Sequence, residues 1–449
     1  MARRARGVRG VRRAGLARGA RVGVVRNVTT APHEYPALAG VVLRCRMAQA
    51  SGIVDDGWLV VDHGKLLAVG RGRAPEGPQL VVPPDSLVAP GFVDIHVHGG
   101  GGHQVFGDDP PAVARAIDAI ARFHVQHGTT SFLPTSVSDR PDRLVAVAVA
   151  VRDAAGSLRP GAARVLGLHL EGPWLAPSRA GAHARGELRT PDPREFERLV
   201  EAGAGSLRMV TIAPELAGSE RLIAMGRAAG IVMSVGHTEA DFATTIQAFA
   251  AGARHVTHLG NAMAGIDRRA PGPVAAAVVD GGATVEVIPD AVHTHPGFLR
   301  LVAATMGDRM AAVTDASAAA GMPPGSYRLG RADVHVEAQR VVLAGHPDTL
   351  AGSMLTMDRA VATLVESGVG MADALRAATA TPASVIGAVG KGMLRTGADA
   401  DLVVLDRGLR AVATVVAGQV AWDPRRLLTV AQWPAGAAKR EPLEQDDRS

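Results

Sequence analysis

Apolar residues in the middle of the chain follow two alternating patterns. Short apolar runs have the length of buried strands, and most are separated by segments with apolar residues every three to four positions, as on one helix face. The runs predict eight strands, at 92–95, 130–133, 165–170, 208–212, 231–235, 255–257, 284–288 and 311–314. Helices are predicted at 110–127, 143–155, 193–202, 219–229, 240–251, 296–306, 353–367 and 371–386. This alternation indicates an α/β fold with a parallel sheet.

The strand–helix units cover about 225 residues, which matches the size and rhythm of a (β/α)8 TIM-like barrel. A doubly wound open sheet is the alternative, but no G-x-G-x-x-G motif follows a predicted strand. Residues 40–88 and 390–421 have short apolar runs joined by turns, including the hairpin signal Asp62-His-Gly-Lys. We therefore expect a barrel at 89–387 and a small β-sandwich domain built from both chain ends, 39–88 and 388–434.

Charge separates the first residues from the rest of the chain. The net charge is +5, but residues 1–38 hold nine Arg and one acidic residue, so the remainder carries −3. This distribution argues against a nucleic-acid-binding body. Residues 1–38 lack the apolar core of a secretory signal, and we expect a disordered basic extension or sequence upstream of the true start. Residues 435–449 are expected to form a flexible tail.

Two further features limit the class of protein. No apolar run is long enough to span a membrane, so no membrane partner is expected. The single cysteine, Cys45, excludes a disulfide or a cysteine metal site within one chain and suits a cytoplasmic protein.

Histidines and acidic residues follow the predicted strands at one end. His96 and His98 end the first strand, where strand geometry points both imidazoles to the same side. By themselves, these two could make ordinary hydrogen bonds or bind a metal. Four more candidates follow later strands: Glu171, His237, His258 and Asp315. Because the carboxyl ends of barrel strands share one face, we expect the six side chains to meet there as a metal site.

Nitrogen and oxygen ligands of this kind suit zinc, and also iron(II), manganese or cobalt. Asp315, on the last strand and outside any histidine-rich motif, suits a general base, whereas Glu171 suits a primary ligand. No lysine lies between Lys65 and Lys391, so a carboxylated lysine cannot bridge two ions inside the barrel. Glu171 is the best-placed bridging anion, and one or two ions per subunit are both possible.

Sequence motifs along residues 40–425 carry a family resemblance. The more general ones are Pro90-Gly-Phe-Val-Asp-Ile-His-Val-His-Gly and Gly397-Ala-Asp-Ala-Asp-Leu-Val-Val-Leu-Asp. The more specific ones are Leu168-His-Leu-Glu-Gly-Pro-Trp-Leu, Gly181-Ala-His and Thr257-His-Leu-Gly-Asn-Ala-Met. With these motifs the chain resembles the amidohydrolase superfamily and, within it, the N-acetylglucosamine-6-phosphate deacetylase family.

The resemblance implies a role for each candidate residue. It implies Glu171, His237 and His258 as the main metal site, His96 and His98 as a second one, and Asp315 as general base and acid. The implied substrate contacts are His183 at the acetyl carbonyl or sugar, Asn261 and Ala262 at the phosphate, Arg269 at the phosphate of a neighbouring subunit, His293, and the acetyl-pocket residues Leu350, Ala351 and Gly352. His295 competes with His293 for its role, and Arg268 competes with Arg269.

The resemblance implies a homodimeric, metal-dependent hydrolase whose partner is a small amino-sugar phosphate, N-acetyl-D-glucosamine 6-phosphate. Other amidohydrolase reactions stay open: the galactosamine 6-phosphate counterpart, a D-aminoacylase or a cyclic-amide hydrolase. A metal-free sugar-phosphate binding protein is the non-enzyme alternative. Gly260, Ala270 and Thr381 depart from the family's usual residues, which leaves the fine substrate preference open.

Overall fold

A parallel barrel lies at the centre of the computed structural model, which describes residues 38–49, 52–337 and 339–431. Its eight parallel strands, in order of pairing, are Phe92–Val97, Thr129–Ser136, Leu168–Glu171, Leu207–Ile212, Val232–Val235, His255–Val256, Thr284–Val287 and Met310–Ala312. A parallel bridge between Val97 and Ala316 joins the last strand to the first. The short strand Arg164–Val165 adds to the second barrel strand. The predicted (β/α)8 barrel is confirmed.

Helices connect the barrel strands and bury their apolar faces against them. Their bounds are Pro110–His124, Pro141–Ala154, Pro193–Gly203, Ser219–Ala228, Phe242–Ala251, Gly272–Asp280, Pro296–Met306, Met357–Glu366, Met371–Ala377 and Ala380–Val385. Asp109 caps the first helix by accepting a hydrogen bond from the Ala112 N–H at 3.1 Å, as its position before Pro110 predicts. None of the helices in the described residues has the length and hydropathy to span a bilayer.

Three regions differ from the prediction. The helix Gly272–Asp280 was missed because its interior is almost entirely Ala and Val, with no polar face to reveal a helical period. Residues 371–386 form two helices rather than one, because Thr379 leaves the helical conformation with φ −135° and ψ −83°. Residues 326–350 form a four-stranded antiparallel sheet in the loop after the last barrel strand: Ser326–Leu329, Ala332–Glu337, Arg340–Leu343 and His346–Leu350.

The second large sheet is built from both ends of the chain, as predicted. Its strands are Val41–Gln49, Gly52–Asp62, Lys65–Arg71, Gln79–Val81, Leu87–Pro90, Leu402–Leu405, Ala411–Val416, Gln419–Trp422 and Thr429–Ala431. Leu87–Pro90 pairs antiparallel with Leu402–Leu405, and both arms of the sheet pack on one apolar core. The small β-sandwich is confirmed, whereas its boundaries stay predictions. The predicted extension at 1–38 and tail at 435–449 lie outside the described residues, apart from Leu38.

Two lysines link these two chain segments through one carboxylate. Lys391 Nζ lies 2.7 Å from Asp399 Oδ2 and 2.6 Å from Asp401 Oδ2, and its side chain is 5% exposed. Lys65 Nζ, from the other segment, lies 2.6 Å from Asp399 Oδ1. Burial opposes ionisation, but the two lysines hold the pKa of Asp399 below its usual value. The Lys65–Asp399 pair therefore joins the N-terminal hairpin to the C-terminal segment, whereas Lys391 neutralises carboxylates within that segment.

We predict that Lys391→Met lowers the free energy of unfolding by about 3–5 kcal/mol, because it leaves buried carboxylates without their cation. Lys65→Met is the matched control, since the Lys65 side chain is 56% exposed and such a pair contributes about 1 kcal/mol or less. Urea unfolding monitored by circular dichroism measures both variants. Equal losses of stability would contradict this assignment.

Candidate metal centre

Five of the six predicted metal-site side chains form a cluster at the carboxyl ends of the barrel strands, with Glu171 at its centre. Glu171 Oε1 lies 3.0 Å from His258 Nε2 and 3.2 Å from His237 Nε2. The other oxygen, Oε2, lies 3.1 Å from His98 Nε2, and His96 Nε2 lies 3.5 Å from Oε1. One carboxylate therefore contacts four imidazoles that come from three other strand ends.

The backbone at these strand ends is turned sharply to aim the side chains inward. His237, His258 and Asp315 have φ angles of 46°, 29° and 48°, in the left-handed region that non-glycine residues rarely adopt. Each such residue costs about 1–3 kcal/mol and persists only where the surroundings hold it. At His237, the surroundings that maintain this conformation include Glu215, which contacts the next two residues. Its carboxylate accepts hydrogen bonds from Thr238 Oγ1 at 2.5 Å and from the Glu239 N–H at 2.6 Å.

Hydrogen bonds at the opposite ring nitrogens fix which nitrogen of three histidines carries the proton. His98 Nδ1 lies 3.1 Å from the Thr135 carbonyl, and His237 Nδ1 lies 2.7 Å from the Arg179 carbonyl. A carbonyl only accepts, so both Nδ1 atoms must donate. His96 Nδ1 lies 2.9 Å from the Glu286 carboxylate and donates in the same way. In the neutral rings, each Nε2 then turns a lone pair towards Glu171.

The inward-facing nitrogens fit a divalent metal ion. His96 Nε2 and His98 Nε2 are 3.1 Å apart, and His237 Nε2 and His258 Nε2 are also 3.1 Å apart. Two ligands of one tetrahedral ion, each bonded at about 2.0–2.1 Å, are separated by roughly 3.3 Å. Neighbouring lone pairs at this distance repel each other unless a proton or a metal ion lies between them. The donor set of nitrogen and carboxylate atoms therefore suits zinc or a similar divalent ion.

His183 contacts the same carboxylate but has the opposite tautomer. Its Nδ1 accepts a hydrogen bond from the Ser138 backbone N–H at 3.0 Å, so the proton of the neutral ring is on Nε2. That Nε2–H donates to Glu171 Oε2 at 3.1 Å. Burial lowers the pKa of His183 to about 4, although Glu171 acts in the opposite direction. His183 is therefore a neutral hydrogen-bond donor facing the cavity, not a further lone pair for the metal.

Asp315, the sixth predicted residue, adds a second carboxylate beside the cluster. Its Oδ1 lies 3.3 Å from His98 Nε2 and 3.6 Å from His96 Nε2. Burial opposes ionisation, but the two neighbouring histidines hold its pKa below the usual 3.8. The adjacent residue Thr314 donates to Asp94 Oδ2 at 2.6 Å, which ties the last strand to the first and gives Asp94 a structural role. Asp315 is therefore an ionised proton acceptor facing the cavity.

A cavity of about 460 Å³ opens above the cluster, a size typical of sites for small molecules. Predicted residues that line it are His98, Glu171, His183, His237, His258, Asn261, Ala262, His293, Asp315, Leu350 and Gly352. His96 and Ala351 are fully buried next to lining residues. Arg269 lies apart from the others, exposed on the loop after Ala262, where its backbone N–H donates to Asp267.

The structure distinguishes His293 from His295 as the candidate substrate contact. His293 lines the cavity, and its Nδ1 lies 2.6 Å from Asp290 Oδ2. Burial by itself lowers the pKa of His293, but the neighbouring Asp290 carboxylate raises it, and the net result is a pKa above the usual value. His295 instead caps the helix Pro296–Met306 by accepting from the Gly297 N–H at 3.0 Å. Only His293 is placed to contact a ligand.

Sequence reasoning overlooked two polar residues at the site. Glu286 is fully buried in the seventh barrel strand, where a lone acid in an apolar run was the available signal. Arg185 lines the cavity two residues after His183. The other lining arginine, Arg179, pairs with Glu239 at 2.7 Å, whereas no described carboxylate pairs with Arg185. No pattern in the sequence distinguishes Arg185 from the many surface arginines.

The chain belongs to the amidohydrolase family, whose model matches residues 87–421. It is 32% identical to the N-acetylglucosamine-6-phosphate deacetylase of Bacillus subtilis (strain 168), across 82% of this chain and 94% of the relative. It is 36% identical to the N-acetylgalactosamine-6-phosphate deacetylase of Escherichia coli O157:H7, across 85% of this chain and 99% of the relative.

A solved structure is similar along nearly its whole length. It is the N-acetyl-D-glucosamine-6-phosphate deacetylase from Mycobacterium smegmatis in complex with N-acetyl-D-glucosamine-6-phosphate, with a TM-score of 0.77 and 37% identity. The match covers 85% of this chain and 99% of that one. The family resemblance inferred from the motifs is confirmed.

Proposed function

We propose that this chain hydrolyses N-acetyl-D-glucosamine 6-phosphate to D-glucosamine 6-phosphate and acetate, with a divalent metal ion. The observation that carries the proposal is the set of inward-facing imidazole nitrogens around Glu171, at 3.0 to 3.5 Å from its oxygens. The similarity to deacetylases over most of the chain supports the choice of substrate. The reaction belongs to amino-sugar catabolism or cell-wall recycling, and we propose a cytoplasmic location.

Two ion positions share Glu171 in this proposal. Glu171 Oε1, His237 and His258 would hold the first ion, and His96, His98 and Glu171 would hold the second. Zinc is the proposed metal, with iron, manganese or cobalt as alternatives that the same ligands accept. A divalent ion here supplies Lewis-acid chemistry, since it acidifies water and polarises a carbonyl group.

Asp315 moves the proton. Its ionised carboxylate takes a proton from the attacking water and later gives it to the amine that leaves the acetyl carbon. The position of Oδ1, 3.3 Å from His98 Nε2 and facing the cavity, supports this role. When substrate binds, His183 would turn its Nε2–H from Glu171 Oε2, 3.1 Å away in this structure, to the acetyl carbonyl and so orient the amide for attack. Leu350 and Gly352 line the pocket for the acetyl methyl group, and the buried Ala351 lies between them in the chain.

The opposite part of the cavity holds the substrate phosphate. Asn261 and the backbone of Ala262 line the cavity and supply hydrogen-bond donors. Arg185 supplies a positive charge from the same chain, and no carboxylate of the described residues pairs with it, which supports this role. Arg269 is exposed and is not among the residues that line the cavity of its own subunit, which supports a contact with the phosphate of a neighbouring subunit. We therefore propose a homodimer in which Arg269 completes the phosphate site of its partner.

A second candidate substrate is N-acetyl-D-galactosamine 6-phosphate. The specific observation in its favour is the 36% identity to the Escherichia coli O157:H7 relative, across 99% of that protein. The two sugars differ only in the configuration of one hydroxyl group. Acetate release measured with both phosphorylated sugars distinguishes the two functions, and we expect the higher kcat/KM with the glucosamine compound.

We predict that Asp315→Asn lowers kcat by at least about 10²-fold, because an amide cannot accept the proton of the attacking water. The number of bound metal ions should stay unchanged. An acetate-release assay and elemental analysis measure the two quantities. Asp333→Asn, on an exposed strand of the four-stranded sheet, is the control. Substantial turnover by Asp315→Asn would refute the assignment of Asp315 as general base.

We also predict that Arg185→Ala raises KM for the phosphorylated substrate about tenfold, because one hydrogen bond to a charged group contributes roughly 1.5 kcal/mol or more. The KM for unphosphorylated N-acetylglucosamine should not change. Arg194→Ala, at an exposed helix start, is the matched control. If both substrates lose affinity equally, or neither does, Arg185 does not contact the phosphate.

A further inference from the structure

Glu286 is a buried carboxylate whose side-chain partners are histidines. It lies in the barrel strand Thr284–Val287 and is fully buried. A buried charge is costly unless hydrogen bonds and nearby charges compensate it. Among the described residues, no Lys or Arg pairs with Glu286, and its ion-pair partners are His96 and His255. The fold therefore retains an acid here that does not serve an ordinary salt bridge.

The contacts of Glu286 reach both proposed ion positions. Its Oε2 accepts from His96 Nδ1 at 2.9 Å and from the backbone N–H of His258 at 3.1 Å. Its Oε1 lies 3.2 Å from His255 Nε2. His96 belongs to the second ion position and His258 to the first. One carboxylate thus touches the ring of one ligand and the backbone of the other.

The consequence for His96 is a choice of tautomer. With Glu286 as acceptor, the proton lies on Nδ1 and Nε2 offers its lone pair towards Glu171 and His98. Without that acceptor, the ring can place its proton on Nε2 and donate to Glu171 Oε1, which is 3.5 Å away. That arrangement satisfies the hydrogen bonds of the cavity floor but removes one ligand of the second ion.

The first ion position does not depend on Glu286 in the same way. The tautomer of His237, a ligand of the first ion, is set by the Arg179 carbonyl. For His258, Glu286 contacts only the backbone N–H. Loss of the carboxylate should therefore affect the second ion far more than the first. The negative charge next to His96 also helps to compensate the charge of a second cation.

We propose that Glu286 is a positioning residue that commits His96 to the second ion and so sets whether the centre holds two ions or one. This inference rests on the two-ion centre proposed above. It goes beyond it by assigning the occupancy of the second position to a residue that touches neither the substrate nor the metal.

The test is the number of zinc ions bound per subunit after saturation with zinc and removal of free metal. We expect about two ions in the unchanged protein and about one in Glu286→Ala. Glu286→Gln keeps an oxygen that accepts from His96 but loses the charge, so it should hold two ions with the second bound about 10- to 100-fold more weakly. Asp358→Asn, which alters a buried carboxylate that is paired with His127 away from the cavity, should hold two ions.

Three results would overturn the inference: a single ion in the unchanged protein, two ions with unchanged affinity in Glu286→Ala, or an unchanged second affinity in Glu286→Gln. If Glu286→Ala does not fold, as judged by circular dichroism, the zinc affinity of Glu286→Gln decides. Acetate release by the unchanged protein is measured in parallel. Its absence would contradict the proposed deacetylase without altering the ion count, so the two failures are distinguishable.

Discussion

Imidazole lone pairs that face one another around a single carboxylate are the constraint on which the rest of this site depends. Carbonyl groups of Thr135 and Arg179 accept the outer protons of His98 and His237, so the inner nitrogens cannot be donors while the rings are neutral. Glu171 supplies the central negative charge. Such an arrangement is unfavourable in water-free surroundings unless a proton or a metal ion occupies it, and the number and spacing of the nitrogens around one carboxylate suit a metal centre.

The barrel explains how this arrangement is maintained. Parallel strands bring their carboxyl ends to one face, and the bridge between Val97 and Ala316 places the last strand beside the first. Asp315 therefore lies next to His98, although 217 positions separate them in the sequence. His237, His258 and Asp315 adopt an unfavourable left-handed backbone conformation, and this conformation directs their side chains towards the cavity. None of the described residues of the β-sandwich lines the cavity.

The sequence predicts much of the fold because each barrel strand is an apolar run bounded by turn residues, and because six His and acidic residues follow these runs at their carboxyl ends. The helix Gly272–Asp280 was not predicted because its interior has no polar face. The four-stranded sheet was not predicted because its strands are short and half exposed. In the latter, buried Val334 and Val336 alternate with exposed neighbours, which was a usable signal.

Other features of the site depend on contacts that no local pattern encodes. The opposite tautomers of His183 and His98 follow from hydrogen bonds to Ser138 and Thr135, which the chain brings near only when folded. The role of Glu286 depends on its contact with His96, 190 positions away. An acid within an apolar strand could be noticed in the sequence, but its partner could not be named.

Deacetylation by this chain depends, in our proposal, on a divalent ion held around Glu171. The most direct test measures acetate release from N-acetyl-D-glucosamine 6-phosphate by protein that a chelator has freed of metal and that is then titrated with zinc, with bound zinc counted at each step. We predict no acetate release without metal and a rate that rises with the zinc bound per subunit. Full activity of the metal-free protein, or stoichiometric zinc binding without acetate release, would contradict the proposal.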